Sequence, residues 1–257
     1  RYATSVEWSK DKENWTTAPL TAYDYTPQSF QITMNKGEKV YFRNTSGFWN
    51  HHSTDGQFYT SFKTNRNCGA GGDLRSLLNY RDINNVTLTE GCYAYIFSDC
   101  SSLTTPPELP ATNLAPNCYT GLFSGCSSLT VAPELPATNL ADGCYAYLFS
   151  DCSSLTTPPE LPATNLAPNC YVGLFWGCSS LTVAPELPAT NLAEGCYYGL
   201  FFDCSSLTVA PELPATNLTE ACYANLFSGC SSLTVGPELP ATNLAPYCCA
   251  NLFSYCS

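Results

Sequence analysis

Fourteen of the sixteen cysteines obey one period. Cys92, Cys118, Cys144, Cys170, Cys196, Cys222 and Cys248 are 26 residues apart, and so are Cys100, Cys126, Cys152, Cys178, Cys204, Cys230 and Cys256. One unit, residues 103–128, reads LTTPPELPATNLAPNCYTGLFSGCSS, and its successors differ from it at a handful of positions. A unit this short cannot close a core of its own, so its apolar face must be buried by the units before and after it. The chain is therefore expected to be a curved solenoid over residues 91–257, in seven units of which the last is incomplete. A β-rich segment, residues 1–90, precedes it, and the whole is expected to be a piece cut or processed from a longer protein.

Within a unit, Leu114, Cys118, Leu122, Phe123 and Cys126 fall within one broad stripe at 100° per residue, which predicts a short helix over about residues 115–125. Thr112 or Asn113 would cap it, and Pro116, or the acid at Asp142, Glu194 and Glu220, suits its first turn. Leu103-Thr104-Thr105 reads as a short strand that Pro107 and Pro110 keep from growing. The expected fold class is thus an α/β repeat, one short strand and one short helix per unit. In the N-terminal segment, Val6/Trp8, Phe30/Ile32/Met34 and Val40/Phe42 alternate around turn-formers such as Lys36-Gly37, predicting a small antiparallel sheet. CGAGGD, residues 68–73, reads as a loop. Leu74, Leu77 and Leu78 begin a helix leading into the first unit, and the segment is expected to cap the open end of the array.

The run LFSGCSSLT resembles the leucine-rich repeat of BspA-like surface proteins, whose units carry A-F-x-x-C-x-x-L. The resemblance covers residues 91–257. VEWSKDKENWTT and ITMNKGEKVYFRN resemble, less specifically, the small β domain that precedes such arrays in gut-bacterial surface proteins. Two departures stand out: a unit of 26 residues is longer than usual, and P-E-L-P-A-T-N-L replaces the usual apolar strand, so the concave sheet is expected to be thin. The resemblance implies a leucine-rich-repeat solenoid and an extracellular role in recognition or adhesion at the cell surface.

Charge narrows the partners. The formal net charge is -11, and all ten Lys and Arg lie between Arg1 and Arg81 against nine acids, whereas residues 91–257 hold twelve acids and no base. Nucleic acid and anionic membranes are repelled by such a surface. No apolar run approaches the roughly 18 residues of a membrane span, and RYATSVEW has no signal-peptide order, so no membrane insertion is expected.

Chemistry finds few footholds. On a helix, Cys118 and Cys126 would lie about 12 Å apart, beyond a disulfide, and bridges between equivalent cysteines have no unique pairing. Buried, reduced thiols are expected, with off-period Cys68 the candidate reactive one and Cys249 beside Cys248 a further exception. C-x7-C without His offers no zinc cluster, so no metal or cofactor is expected. His51 and His52, in FWNHHSTDG, have no companion carboxylates or G-x-S-x-G element and read as a solvated loop, so no enzyme is expected. Glu108, Glu134, Glu160, Glu186, Glu212 and Glu238 would form an acidic row, a solvated edge or a collector of Ca²⁺. Asn113, Asn139, Asn165, Asn191, Asn217 and Asn243 would form a buried polar ladder.

Residues 91–142 and 143–194 differ at only four of 52 positions: Ile96/Leu148, Thr120/Val172, Ser124/Trp176 and Asp142/Glu194. On the expected helix, positions 120 and 124 point to about 200° and 240°, opposite a core stripe near about 50°. The next unit places Tyr198 and Phe202 in those slots. Trp176, Tyr198 and Phe202, with Tyr147 and Asp203 beside them, form the candidate partner-binding set, since drift on a solvent face should yield polar residues. The expected function is non-enzymatic extracellular binding of a protein or glycan on a host or neighbouring cell. The alternative is a structural subunit of a surface fibre or virion appendage, such as a phage tail, with self-association through the same patch.

Overall fold

The computed structural model describes residues 5–19, 31–43, 64, 66–79 and 81–256. Three strands, β1 (Ser5–Ser9), β2 (Thr16–Pro19) and β3 (Tyr41–Arg43), form an antiparallel sheet in the order β2-β1-β3, with Trp8 opposite Thr16 on one side and Phe42 on the other. The Lys36-Gly37 turn forms as the sequence implies, closed by the Glu38 N–H donating to the Asn35 carbonyl at 3.1 Å. Ile32 and Met34 lie outside any strand, and Met34 is exposed; Phe30 is outside the described residues. Ion pairs between Arg43 and Glu7 (2.7 Å) and between Lys10 and Glu38 (2.8 Å) tie the sheet together.

The stretch 68–73 is more than a loop. β4 (Cys68–Gly69) pairs in parallel with β5 (Leu103–Thr105), and the Leu74 N–H reaches the Glu108 carbonyl, so this stretch serves as a first rung for the array. Helix α1 (Ser76–Asn79) follows, with Leu74, Leu77 and Leu78 buried in the same core as the first unit.

The array corrects the expected fold class, because its units contain no helix. Residues 115–126 form a chain of overlapping turns. The N–H groups of Cys118, Thr120, Leu122, Ser124 and Cys126 donate three residues back, to Ala115, Asn117, Tyr119, Gly121 and Phe123, at 3.0–3.2 Å. Those of Asn117, Tyr119, Gly121, Phe123 and Gly125 leave the unit and donate to the Asp142, Cys144, Ala146, Leu148 and Ser150 carbonyls of the next, at 2.7–3.0 Å. Half of the segment's donors thus bond along the stack, where an α-helix would keep all of them to itself. The cause is local. Asn117, Gly121 and Gly125 all have φ between +54° and +74°, the third position of successive turns, and no right-handed helix admits such a residue at every fourth place.

A period of four also rearranges the faces. Cys118, Leu122 and Cys126 share one inward row, Tyr119 and Phe123 the adjacent one, and all five are fully buried. Leu114, placed in the stripe by the sequence, is only half-buried. Copies of the inward residues meet copies. Tyr93, Tyr119, Tyr145, Tyr171, Tyr197 and Tyr223 stack with ring centroids 5.4–6.1 Å apart, and the phenylalanines from Phe97 to Phe253 stack at 5.6–5.8 Å. Such offset pairs add about 0.5–1.5 kcal/mol each to the burial itself. The hydroxyls of Tyr93, Tyr119, Tyr145, Tyr171 and Tyr197 are buried without a hydrogen-bond partner, which opposes that gain by roughly 1–3 kcal/mol each.

Strand structure in the array is thin, as the proline-rich return implies. Beyond β5, the units meet through single parallel bridges such as Val131 with Thr157 and Val183 with Val209, and through β6 (Asn217–Leu218) with β7 (Asn243–Leu244). The asparagine ladder exists but is not buried. All six asparagines are exposed, Asn191 Nδ2 donating to Asn165 Oδ1 and Asn243 Nδ2 to Asn217 Oδ1, because the strand turns their side chains outward. The six glutamates of the acidic row are exposed as well.

Candidate partner-binding surface

The left-handed positions explain why the sequence repeats in blocks of two units. In units one to five a side chain at such a position leans along the stack onto a glycine at the equivalent position of the next unit. A Cβ built on Gly121 would run into the Tyr95 ring, one on Gly173 would fall 2.5 Å from Tyr147, and one on Gly125 would fall 2.7 Å from Asp99 Oδ1. Asp151 covers Gly177, Asn169 covers Gly195 and Asp203 covers Gly229 in the same way. Side chain and glycine thus alternate over most of units one to five, in step with the two-unit sequence repeat, whereas in the last two units side chain follows side chain, Ala221 before Tyr247 and Asn225 before Asn251.

The alternation lapses at Gly199, which follows Gly173 where a tyrosine would be due. The Trp176 indole fills the opening, its Cε3 3.3 Å from where a Cβ of Gly199 would stand. Phe202 then stacks on Trp176 with centroids 4.1 Å apart and planes 22° apart, and Tyr147 meets Trp176 from the other side at 6.4 Å. Tyr198 stands close enough to Tyr147 that, after burial itself, it helps hold the Tyr147 hydroxyl above its ordinary pKa. Four of the five sequence candidates thus come together in one strip across three units, and Asp203, exposed, adjoins Phe202.

The setting differs from the open face that helical geometry implies. Trp176, Tyr198 and Phe202 are half-buried, Tyr147 is 36% exposed, and the equivalent Ser150 and Ser228 are buried. A four-residue period gives these slots a side of their own beside the core, rather than one opposite to it. The sequence offered Tyr147 but not the glycines, Gly173 and Gly199, that shape the strip. Their signal was present in the Asn/Gly residues at steps of four.

Other candidates fare differently. All sixteen cysteines are free thiols, thirteen of them buried. The second cysteine of units two to seven also bonds along the stack, as when Cys126 Sγ donates to the Phe97 carbonyl and Cys178 Sγ to the Phe149 carbonyl, both at 3.1 Å. Burial pushes the thiols of Cys92, Cys144, Cys152, Cys196 and Cys230 up to about 12, which keeps them protonated and inert. Cys68 is half-buried, with Thr64 Oγ1 3.3 Å from its sulfur. His51 and His52 lie outside the described residues. Among the described residues no group of three His, Cys, Asp or Glu is placed to hold a metal ion, and no helix is long and apolar enough to cross a membrane. A cavity of about 340 Å³ lies on the proline return between Pro158 and Pro188, lined by Glu160, Glu186 and prolines but by none of the aromatic strip.

No protein family, no curated protein and no solved structure matches this chain.

Proposed function

We propose that this chain is a non-enzymatic recognition or adhesion protein working outside the cell, as the likeness of its LFSGCSSLT runs to BspA-like repeats implies. Its partner, a protein or glycan, would be held by the strip of Tyr147, Trp176, Tyr198 and Phe202. The observation that carries this reading is the strip itself: Tyr147, Trp176 and Phe202 touch in series where the sister unit has only Ser124. Aromatic anchors freeze few rotors on binding, and the frame beneath them is already locked by hydrogen bonds from unit to unit, so little entropy is lost on contact.

The test is an array of surface proteins and glycans probed with the full chain and with Trp176→Ser. Binding should weaken by about 2 kcal/mol or more in the variant. Because the indole is half-buried, stability should fall only modestly, by about 1–2 kcal/mol. Light scattering on the same samples supplies the competing outcome. Concentration-dependent self-association that Trp176→Ser abolishes would replace the adhesin reading with that of an assembly subunit.

A further inference from the structure

The strip stands on the one part of the molecule that lacks any positive charge. Residues 91–257 hold twelve carboxylates and no Lys, Arg or His. Two carboxylates are fixed beside the strip by the backbone. Asp151 donates its N–H to the carbonyl of Trp176, and its own carboxylate lies over Gly177, the residue after Trp176. Asp203 follows Phe202 directly and lies over Gly229 in the same fashion. Both are exposed, and their left-handed backbone holds them where they stand. Stacked rings bordered by carboxylates that no base neutralises are complementary to one kind of group, a cation with a flat or apolar body. An arginine side chain lays its guanidinium on an indole face and offers hydrogen-bond donors at its edge, and a lysine does so less well.

We propose that the occupant of the strip is an arginine- or lysine-bearing peptide segment of a partner protein, with its cationic side chain on the Trp176–Phe202 pair and its donors turned to Asp151 and Asp203. This rests on the recognition reading above and names its partner class. A neutral sugar could stack on the rings and donate hydroxyls to the carboxylates but brings no charge to meet theirs, and an acidic glycan would be repelled by them. The field of the uncompensated carboxylates would also speed the approach of a basic partner, increasingly so at low salt.

The experiment is a fluorescence and calorimetric titration of the full chain with an arginine-containing peptide. Three comparison probes are used: the same peptide with citrulline for arginine, a peptide with glutamate for arginine, and a neutral oligosaccharide. The arginine peptide should bind at least tenfold more tightly than the citrulline form, and more weakly as salt is raised. Trp176→Ser should cost about tenfold or more. Asp151→Asn/Asp203→Asn keeps the shape and the left-handed backbone, so it tests the proposal even if the tryptophan variant folds poorly; it should cost three- to tenfold. Glu160→Gln/Glu212→Gln, an equal change of charge elsewhere on the array, should cost less than twofold. Equal binding of the arginine and citrulline peptides, or equal losses in the two charge variants, overturns the proposal. Trp176-dependent binding of the oligosaccharide in preference to the peptide overturns it while leaving the recognition reading in place. Binding of no probe, with self-association that depends on Trp176, overturns both.

Discussion

Asparagine, aspartate and glycine account for most of the left-handed positions in this array, but tyrosine stands at several of them, among them Tyr95 and Tyr147, with φ of +57° and +54°. A side chain in that conformation costs about 1–2 kcal/mol, and here the ring recovers part of the cost by lying over the glycine of the next unit. The pairing is directional and can be tested as a cycle. Gly121→Ala should destabilise by about 2–4 kcal/mol, combining a left-handed alanine with an overlap against the Tyr95 ring. In a Tyr95→Gly background only the backbone part should remain, so the same substitution should cost about half as much. Urea melts of the four proteins measure the coupling, and additive losses would show that ring and glycine do not oppose one another.

At the scale of the unit, each element is stabilised by copies of itself. Phe149 is fully buried and stacks on Phe123 and Phe175 at 5.8 Å on either side, whereas Phe253 is 38% exposed and stacks on Phe227 alone. Phe149→Ala should therefore cost about 3–5 kcal/mol and Phe253→Ala less than half of that, since one interface is lost and the cavity opens to water. Thermal melts decide between this and a single shared core, in which the two losses would match. The units also show why the helix expected from apolar spacing did not form. Residues 118, 122, 123 and 126 satisfy a period of 3.6 and a period of four about equally well, and the choice between them lies with Asn117, Gly121 and Gly125, which only the second can use.

For the molecule as a whole, the buried thiols set a limit at high pH. The folded pKa values of Cys92, Cys144, Cys152, Cys196 and Cys230 are pushed from the ordinary thiol value of about 8.5 up to about 12, because burial disfavours the thiolate. The unfolded chain therefore loses its thiol protons first. Stability from these groups is intact below about pH 8.5 and declines from there toward pH 12, at about 1.4 kcal/mol per pH unit for each thiol. Five such thiols remove about 7 kcal/mol per unit, as much as a typical domain possesses. The array should be stable at pH 8 and should unfold cooperatively by about pH 10–11, with its cysteines turning reactive to Ellman's reagent in the same step. Circular dichroism unchanged up to pH 12 would contradict burial of the thiols as described.

The sequence by itself determined the period, the number of units, the buried cysteine rows, the thin strands, and Leu77 and Leu78 in a short helix before the array, though Leu74 precedes that helix and joins the first rung instead. All of these follow from composition and spacing within one unit, or from one unit repeated. What needed the tertiary structure was everything that one unit does to the next. Hydrogen bonds from Tyr119 to Cys144 and from Phe123 to Leu148 replaced a helix, and strand direction turned the asparagine ladder outward. The strip around Trp176 was visible as variation at residues 176, 198 and 202, but its geometry was not. The indole lies where it does because Gly199 is bare and Gly173 sends nothing to cover it, a relation between residues 23 to 26 positions apart that exists only when the units are stacked.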